Sequence, residues 1–164
     1  MYHTVEQVLE DVYRIKGERM EPINGTALVC EWCESKGVMG GGGDLTQAEK
    51  HAHAEMIISK IKRVLNRYEL AVVECEYSED LRGIVDITAY IEKQNEGVNL
   101  LICDALLSHI FSGRPKQMEI QDRFDISRVT LWRKKKQVGG IVAGLLDSAI
   151  CKLEPEFRQA WIIG

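Results

Sequence analysis

No run of apolar residues in this chain approaches the roughly 20 needed to span a bilayer. No N-terminal stretch combines a basic start, an apolar segment and a cleavage site. A soluble, cytoplasmic protein with no membrane partner is therefore expected. Cysteine is sparse and odd in number, five residues without dense spacing. That pattern excludes a disulfide scaffold and suits reduced thiols. No serine, histidine and acid combination carries a nucleophile motif. No Lys-Ser/Thr pair follows the four glycines at 40–43 as in a P-loop, so a phosphate-cradling role is the poorer reading of them, behind a flexible loop. Enzymatic activity is not expected. Internal repeats and low-complexity tails are also missing.

What is present is enough apolar residue for a core, 45% of 164 positions, which suits one domain over 1–164. The formal net charge is −4, and it is unevenly placed. Between Arg114 and Lys136 there are eight Lys/Arg against three Asp/Glu, a local surplus of five. The remaining 13 basic and 22 acidic residues leave a deficit of nine. A basic patch on an acidic body is a nucleic-acid footprint that the global charge conceals. DNA phosphates would repel the acidic remainder, which should face elsewhere, toward a basic protein surface.

Hydrophobic spacing predicts a mainly α fold, a compact helical domain containing a helix-turn-helix and one irregular Gly-rich loop. Thr4-Val5-Glu6-Gln7 resembles a capping box, and Val5, Val8, Leu9, Val12 and Tyr13 follow at helical spacing to about Arg19. Residues 22–45 form the irregular region, because four consecutive glycines cannot hold a stable element at reasonable entropy cost. Thr46-Gln47-Ala48-Glu49 is a second capping box. Ile57, Ile61, Val64, Leu65 and Tyr68 then mark the buried face of a long helix. Its valine-rich continuation over 70–77 alternates partly, but no partner strand is evident, so helix is preferred. An amphipathic helix is expected over 80–93 through Leu81, Ile84, Val85, Thr88 and Ile91, and an apolar central helix over 100–111. Gly139 and Gly140 are expected to loosen the chain before another helix over 141–153. Pro155 should then start a short terminal helix.

The helix-turn-helix spans 115–138. Pro115 suits a first helical turn after the Gly113 break. Ile120 and Phe124, four apart, share one face. Asp125 tolerates the left-handed conformation at the turn. Ile126 would plug the angle between the helices, and Ser127 suits the N-cap of the second. Leu131 points to the core, leaving Arg128, Thr130, Trp132, Arg133 and Lys134 outward. A short polar residue and cations at the front of a second helix are what entering a major groove demands. Lys134, Lys135 and Lys136 read as phosphate contacts, each steepening the salt dependence of binding. Trp132 has two readings: stacking against sugar or a thymine methyl, or covering the junction between the helices. The plain alternative for the whole segment is a helical hairpin with a solvated basic face.

Cys30-Glu31-Trp32-Cys33 is the one element with metal-ligand spacing. Two thiolates so placed can clamp zinc, with His51 and His53 completing the site. His-x-His on a helix points its rings to different faces, so at most one imidazole is well placed. No second Cys-x-x-Cys occurs. No cofactor other than zinc at Cys30 and Cys33 is expected, and the alternative is two small apolar residues in the core. Isolated Cys75, Cys103 and Cys151 read as core packing. Glu74, Glu76, Glu79 and Asp80 cluster in a way a Mg²⁺-dependent nuclease could use, although such clusters are usually solvated.

The late Ile126-Ser127-Arg128-Val129-Thr130-Leu131-Trp132-Arg133-Lys134-Lys135-Lys136 run, flanked by amphipathic helices in a small helical chain, resembles the Q late-gene antitermination proteins of lambdoid phages, particularly the shorter, phage 21-like type. The specific part of the likeness is 115–153. It implies a transcription antitermination factor in a bacterial host cytoplasm. Such a protein binds double-stranded DNA near a late promoter through Ser127, Arg128, Thr130, Trp132, Arg133, Lys134, Lys135 and Lys136. It engages paused, sigma-containing RNA polymerase holoenzyme and narrows the RNA exit channel so that terminators are read through. Some members of the wider group hold zinc, which could map here only to Cys30 and Cys33. Two other readings remain open. One is a repressor or activator that is dimeric on DNA, using the apolar face of 141–153 against a second copy of itself. The other is a metal-dependent phage nuclease.

Overall fold

The computed structural model describes residues 2–18, 45–78, 80–94 and 99–164. These form seven α-helices: α1 (Val5–Gly17), α2 (Gln47–Val64), α3 (Arg67–Tyr77), α4 (Ile84–Gln94), α5 (Leu100–Ser112), α6 (Gln117–Phe124) and α7 (Arg128–Gln159). No strand occurs among the described residues, where one isolated parallel bridge joins Tyr2 to Ile163. The protein is mainly α, as its hydrophobic spacing predicts. Among the described residues, no helix is long and apolar enough to cross a membrane. The predicted irregular loop lies outside the described residues apart from position 45, and Cys30, Cys33 and the glycine run are among those outside.

Several helix starts follow from local chemistry. Thr4 Oγ1 accepts from the Gln7 N–H at 3.3 Å. The Gln7 side chain reaches one residue further back than a capping box requires, accepting from the His3 N–H at 3.0 Å. Thr46 and Glu49 form the reciprocal box, with the Glu49 carboxylate on the Thr46 N–H at 2.8 Å. The helix that spacing carries past Val64 without interruption breaks there. Asn66 caps a new helix, accepting from the Tyr68 and Glu69 N–H groups at 2.9 Å, while Glu69 accepts from the Asn66 N–H at 3.1 Å. The segment 70–77 is helical, as preferred over a strand.

Two further boundaries differ from expectation. The turn at Leu81–Gly83 is a 3₁₀ segment, and α4 begins at Ile84. That start puts Ile84, Ile87 and Ile91 inward and leaves Val85 exposed. Larger is the difference at the C-terminal side. Neither Gly139–Gly140 nor Pro155 breaks the chain, and α7 runs unbroken for 32 residues, about 48 Å at 1.5 Å per residue. Pro155 lacks the N–H that would bond the Cys151 carbonyl. Fully buried Leu153 and Phe157 hold the helix on either side of the proline.

α7 is the spine of the molecule. Its first half, through Leu131, Val138, Val142 and Leu145, packs with α4, α5 and Ile120 of α6. Its second half, through Ala149, Leu153 and Phe157, packs with α1 and α2. Helix α3 serves both clusters, giving Ala71, Val72 and Cys75 to the first and Val73 to the second. The face of 141–153 on which a two-fold dimer would rely is thus largely spent inside the monomer: Val142, Leu145, Ala149 and Leu153 are buried. Cys75 and Cys103 are core residues as expected, whereas Cys151 is exposed.

Candidate nucleic-acid interface

α5 ends at Gly113, whose φ of +72° in the left-handed region closes the helix. α6 then begins at Gln117, two residues later than the proline suggests. It ends at Asp125, also left-handed at φ 47°, a conformation that a short polar side chain tolerates. Ser127 caps α7, its hydroxyl accepting from the Thr130 N–H at 3.2 Å. A three-residue turn at 125–127 thus separates α6 from α7, and α7 runs on well past 138. The angle is filled from inside: Ile120 and Leu131 are buried, and Phe124 and Ile126 pack partly buried against the same cluster.

That packing orients the front of α7. Arg128, Val129, Thr130, Trp132, Arg133 and Lys136 are exposed. Trp132 is 61% exposed, so it does not cover the helix junction. Instead, the Lys136 ammonium sits 5.5 Å from its ring centre, a cation–π contact on the outer face. Among the described residues, none of the eight cations between Arg114 and Lys136 pairs with a carboxylate. The ion pairs lie elsewhere, on α1, α2, α3, α4, the Leu81–Gly83 turn and the far half of α7. An unpaired cationic face keeps its full attraction for an external anion, since no internal pair must first be broken.

Lys134, expected outward, and Lys135, expected on phosphate, sit deeper than Lys136. Both are half-buried. Lys134 lines a small cavity together with Ile102, Cys103 and Leu106 of α5. Burial pushes the Cys103 thiol above its ordinary range, against a smaller opposing effect of the Lys134 charge. Lys135 reaches His109, with Nζ 3.2 Å from Nε2. The His109 Nδ1 lies 2.9 Å from the Pro115 carbonyl, and Nε2 also lies 3.3 Å from the Gln117 amide. In one tautomer Nδ1–H donates to the carbonyl, and Lys135 and Gln117 share the single acceptor lone pair of Nε2. His109 thus ties α5, the loop before α6 and α7 together. Sequence spacing gives no sign of it, because Lys135 stands 26 positions away.

The other candidate sites fare differently. His51 and His53 stand two apart on α2, half-buried and exposed respectively, on different faces as expected. His51 Nε2 is buried without a hydrogen-bond partner among the described residues. Cys30 and Cys33 lie outside the described residues, and no group of three or more metal-ligating side chains occurs within them. Asp80 is engaged by Arg82, whose Nε donates at 2.9 Å to both carboxylate oxygens. Those bonds hold the Asp80 carboxyl down at about 2. Its charge is already balanced, which weakens it as a Mg²⁺ ligand; Glu79 lies outside the described residues.

One buried carboxylate escaped the sequence reading. Glu69 is only 2% exposed, and besides capping α3 it accepts from Ser148 Oγ at 2.7 Å and Lys152 Nζ at 2.6 Å on α7. Burial by itself would raise its pKa. The bonds from Lys152, Ser148 and the Asn66 N–H outweigh that and hold it below the usual carboxylate range. Its role is to lock α3 onto α7. With this geometry established, comparison with known proteins adds nothing: no family model matches the chain, and no curated protein does.

Proposed function

We propose that the chain is a DNA-binding transcription antitermination factor whose DNA-reading element is the front of α7, presented by α6 as a helix-turn-helix. One observation carries the reading. Arg128, Arg133 and Lys136 form an exposed cationic face without carboxylate partners among the described residues, beside exposed Thr130 and Trp132 and directly after a capped helix start. Such a helix can enter a major groove with its first two turns, cations meeting phosphates and the polar and aromatic side chains meeting base edges or sugars. Lys135, held by His109, would instead stiffen the unit. Zinc at Cys30 and Cys33 stays part of the proposal only as a structural clamp.

Antitermination, rather than simple repression, is supported by the resemblance of 115–153 to the lambdoid Q proteins and by the acidic remainder of the chain, which calls for a second, basic partner. In this reading DNA contact near a late promoter loads the protein onto paused, sigma-containing RNA polymerase, and its bulk then narrows the RNA exit channel. The dimeric repressor alternative loses its proposed interface, because the apolar face of 141–153 is committed to the monomer core.

A readthrough assay tests the proposal. Purified polymerase transcribes a template with an intrinsic terminator, with and without the upstream promoter DNA. Readthrough that needs both the protein and that DNA is expected. DNA binding without readthrough would reduce the function to a DNA-binding regulator, and the absence of both DNA binding and readthrough would overturn the proposal.

A further inference from the structure

Three of the exposed large apolar side chains converge in one place on α4 and α5. Val85 on α4 is 70% exposed, and Leu100 and Leu101 at the start of α5 are 42% and 64% exposed. With Ala89 they line an open groove of about 350 Å³ between the two helices. Glu92 and Asp104 border it, and no Lys or Arg does. Neither carboxylate has an ion-pair partner among the described residues. On α4, Lys93 is turned elsewhere, its Nζ 2.9 Å from Tyr68 Oη.

We propose that this α4–α5 groove docks an amphipathic helix of a partner protein, one that places apolar side chains on Val85, Leu100 and Leu101 and a Lys/Arg edge against Glu92 and Asp104. Apolar contact supplies affinity and the acidic border sets orientation and partner choice. The border also disfavours two other occupants. A second copy would set like charges against each other, and an anionic lipid surface would be repelled. The groove lies at the N-terminal end of α5, while α6 follows its C-terminal end, roughly 15–20 Å away along a 13-residue helix. The groove stands independently of the DNA reading, since its residues and test involve no nucleic acid.

The probe is a synthetic peptide of about 14 residues, with leucines at helical spacing and lysines along one edge. A companion carries glutamates in place of the lysines. Methyl-labelled full-length chain is titrated with each. Saturable shifts confined to Val85, Leu100 and Leu101 are expected with the lysine peptide and not with its companion. Val85→Asp with Leu101→Asp should weaken binding roughly ten-fold or more, while circular dichroism stays unchanged. Glu92→Lys with Asp104→Lys should reverse the preference between peptides, a result general stickiness would not give. The proposal is overturned by shifts that are absent or lie elsewhere, by indifference to both variant pairs, by self-association abolished in Val85→Asp, or by contacts to these methyls from another segment of the same chain.

Discussion

Replacing Gly139 and Gly140 by alanine probes the continuity of α7, the property on which the spine depends. Glycine in a helix interior costs about 0.8–1.0 kcal/mol relative to alanine, because the unfolded chain loses more freedom. An added Cβ at Gly139 or Gly140 meets no atom within 4 Å, so nothing offsets that gain. Together the substitutions should stabilise the protein by about 2 kcal/mol. At about 2–4 °C per kcal/mol for a chain of this size, the midpoint should rise by roughly 4–8 °C. Gly83 provides the contrast. There a Cβ would lie 2.8 Å from the Ala71 carbonyl oxygen and 3.0 Å from Cys75 Sγ, so Gly83→Ala should destabilise. Urea unfolding of the three proteins reads both effects. A Gly139→Ala/Gly140→Ala variant no more stable than the parent would mean that the chain breaks there and the spine is two helices.

Other perturbations separate packing from binding. Leu131→Ala empties a buried position behind the cationic face and should cost about 2–5 kcal/mol, whereas Trp132→Ala should stay within about 0.5 kcal/mol yet weaken DNA binding; paired unfolding and binding titrations check both. The Glu69 carboxylate, held below its ordinary range, contributes stability that is complete above the unfolded-state value and is lost as pH falls through the depressed folded value. Glu69→Gln should accordingly be less stable than the parent at neutral pH, with the gap narrowing in acid, as read by unfolding midpoints across that range. Cys30→Ser should lower stability only if the purified protein carries zinc. Metal analysis and unfolding of both forms decide the matter.

The sequence was most informative where the causes are local. Ser127, Ile120 and Leu131 occupy their expected places because a cap and a four-residue spacing are properties of the neighbouring chain. Asn66-Arg67-Tyr68-Glu69 carried the same kind of signal, an N-cap with glutamate three residues on, and was obscured by the apolar run continuing across it. Glycine pairs and prolines misled in the opposite direction. Gly139, Gly140 and Pro155 read as punctuation, but packing on both flanks of α7 overrides a cost of a few kcal/mol. Glu69, His109, Lys134 and Lys135 depend on partners from other helices. Ser148 and Lys152 are 79 and 83 positions from Glu69, and no periodicity reports such contacts.

The central claim is that exposed cations at the front of α7 meet DNA phosphates. Its most direct test is a duplex-DNA titration over a range of salt concentrations with the parent and an Arg133→Ala/Lys136→Ala variant. Loss of two phosphate contacts should weaken binding and lower the slope of log K against log salt by about 1.8, at 0.9 per contact, with unfolding stability unchanged. Equal affinity and equal slope in the two proteins would contradict the account.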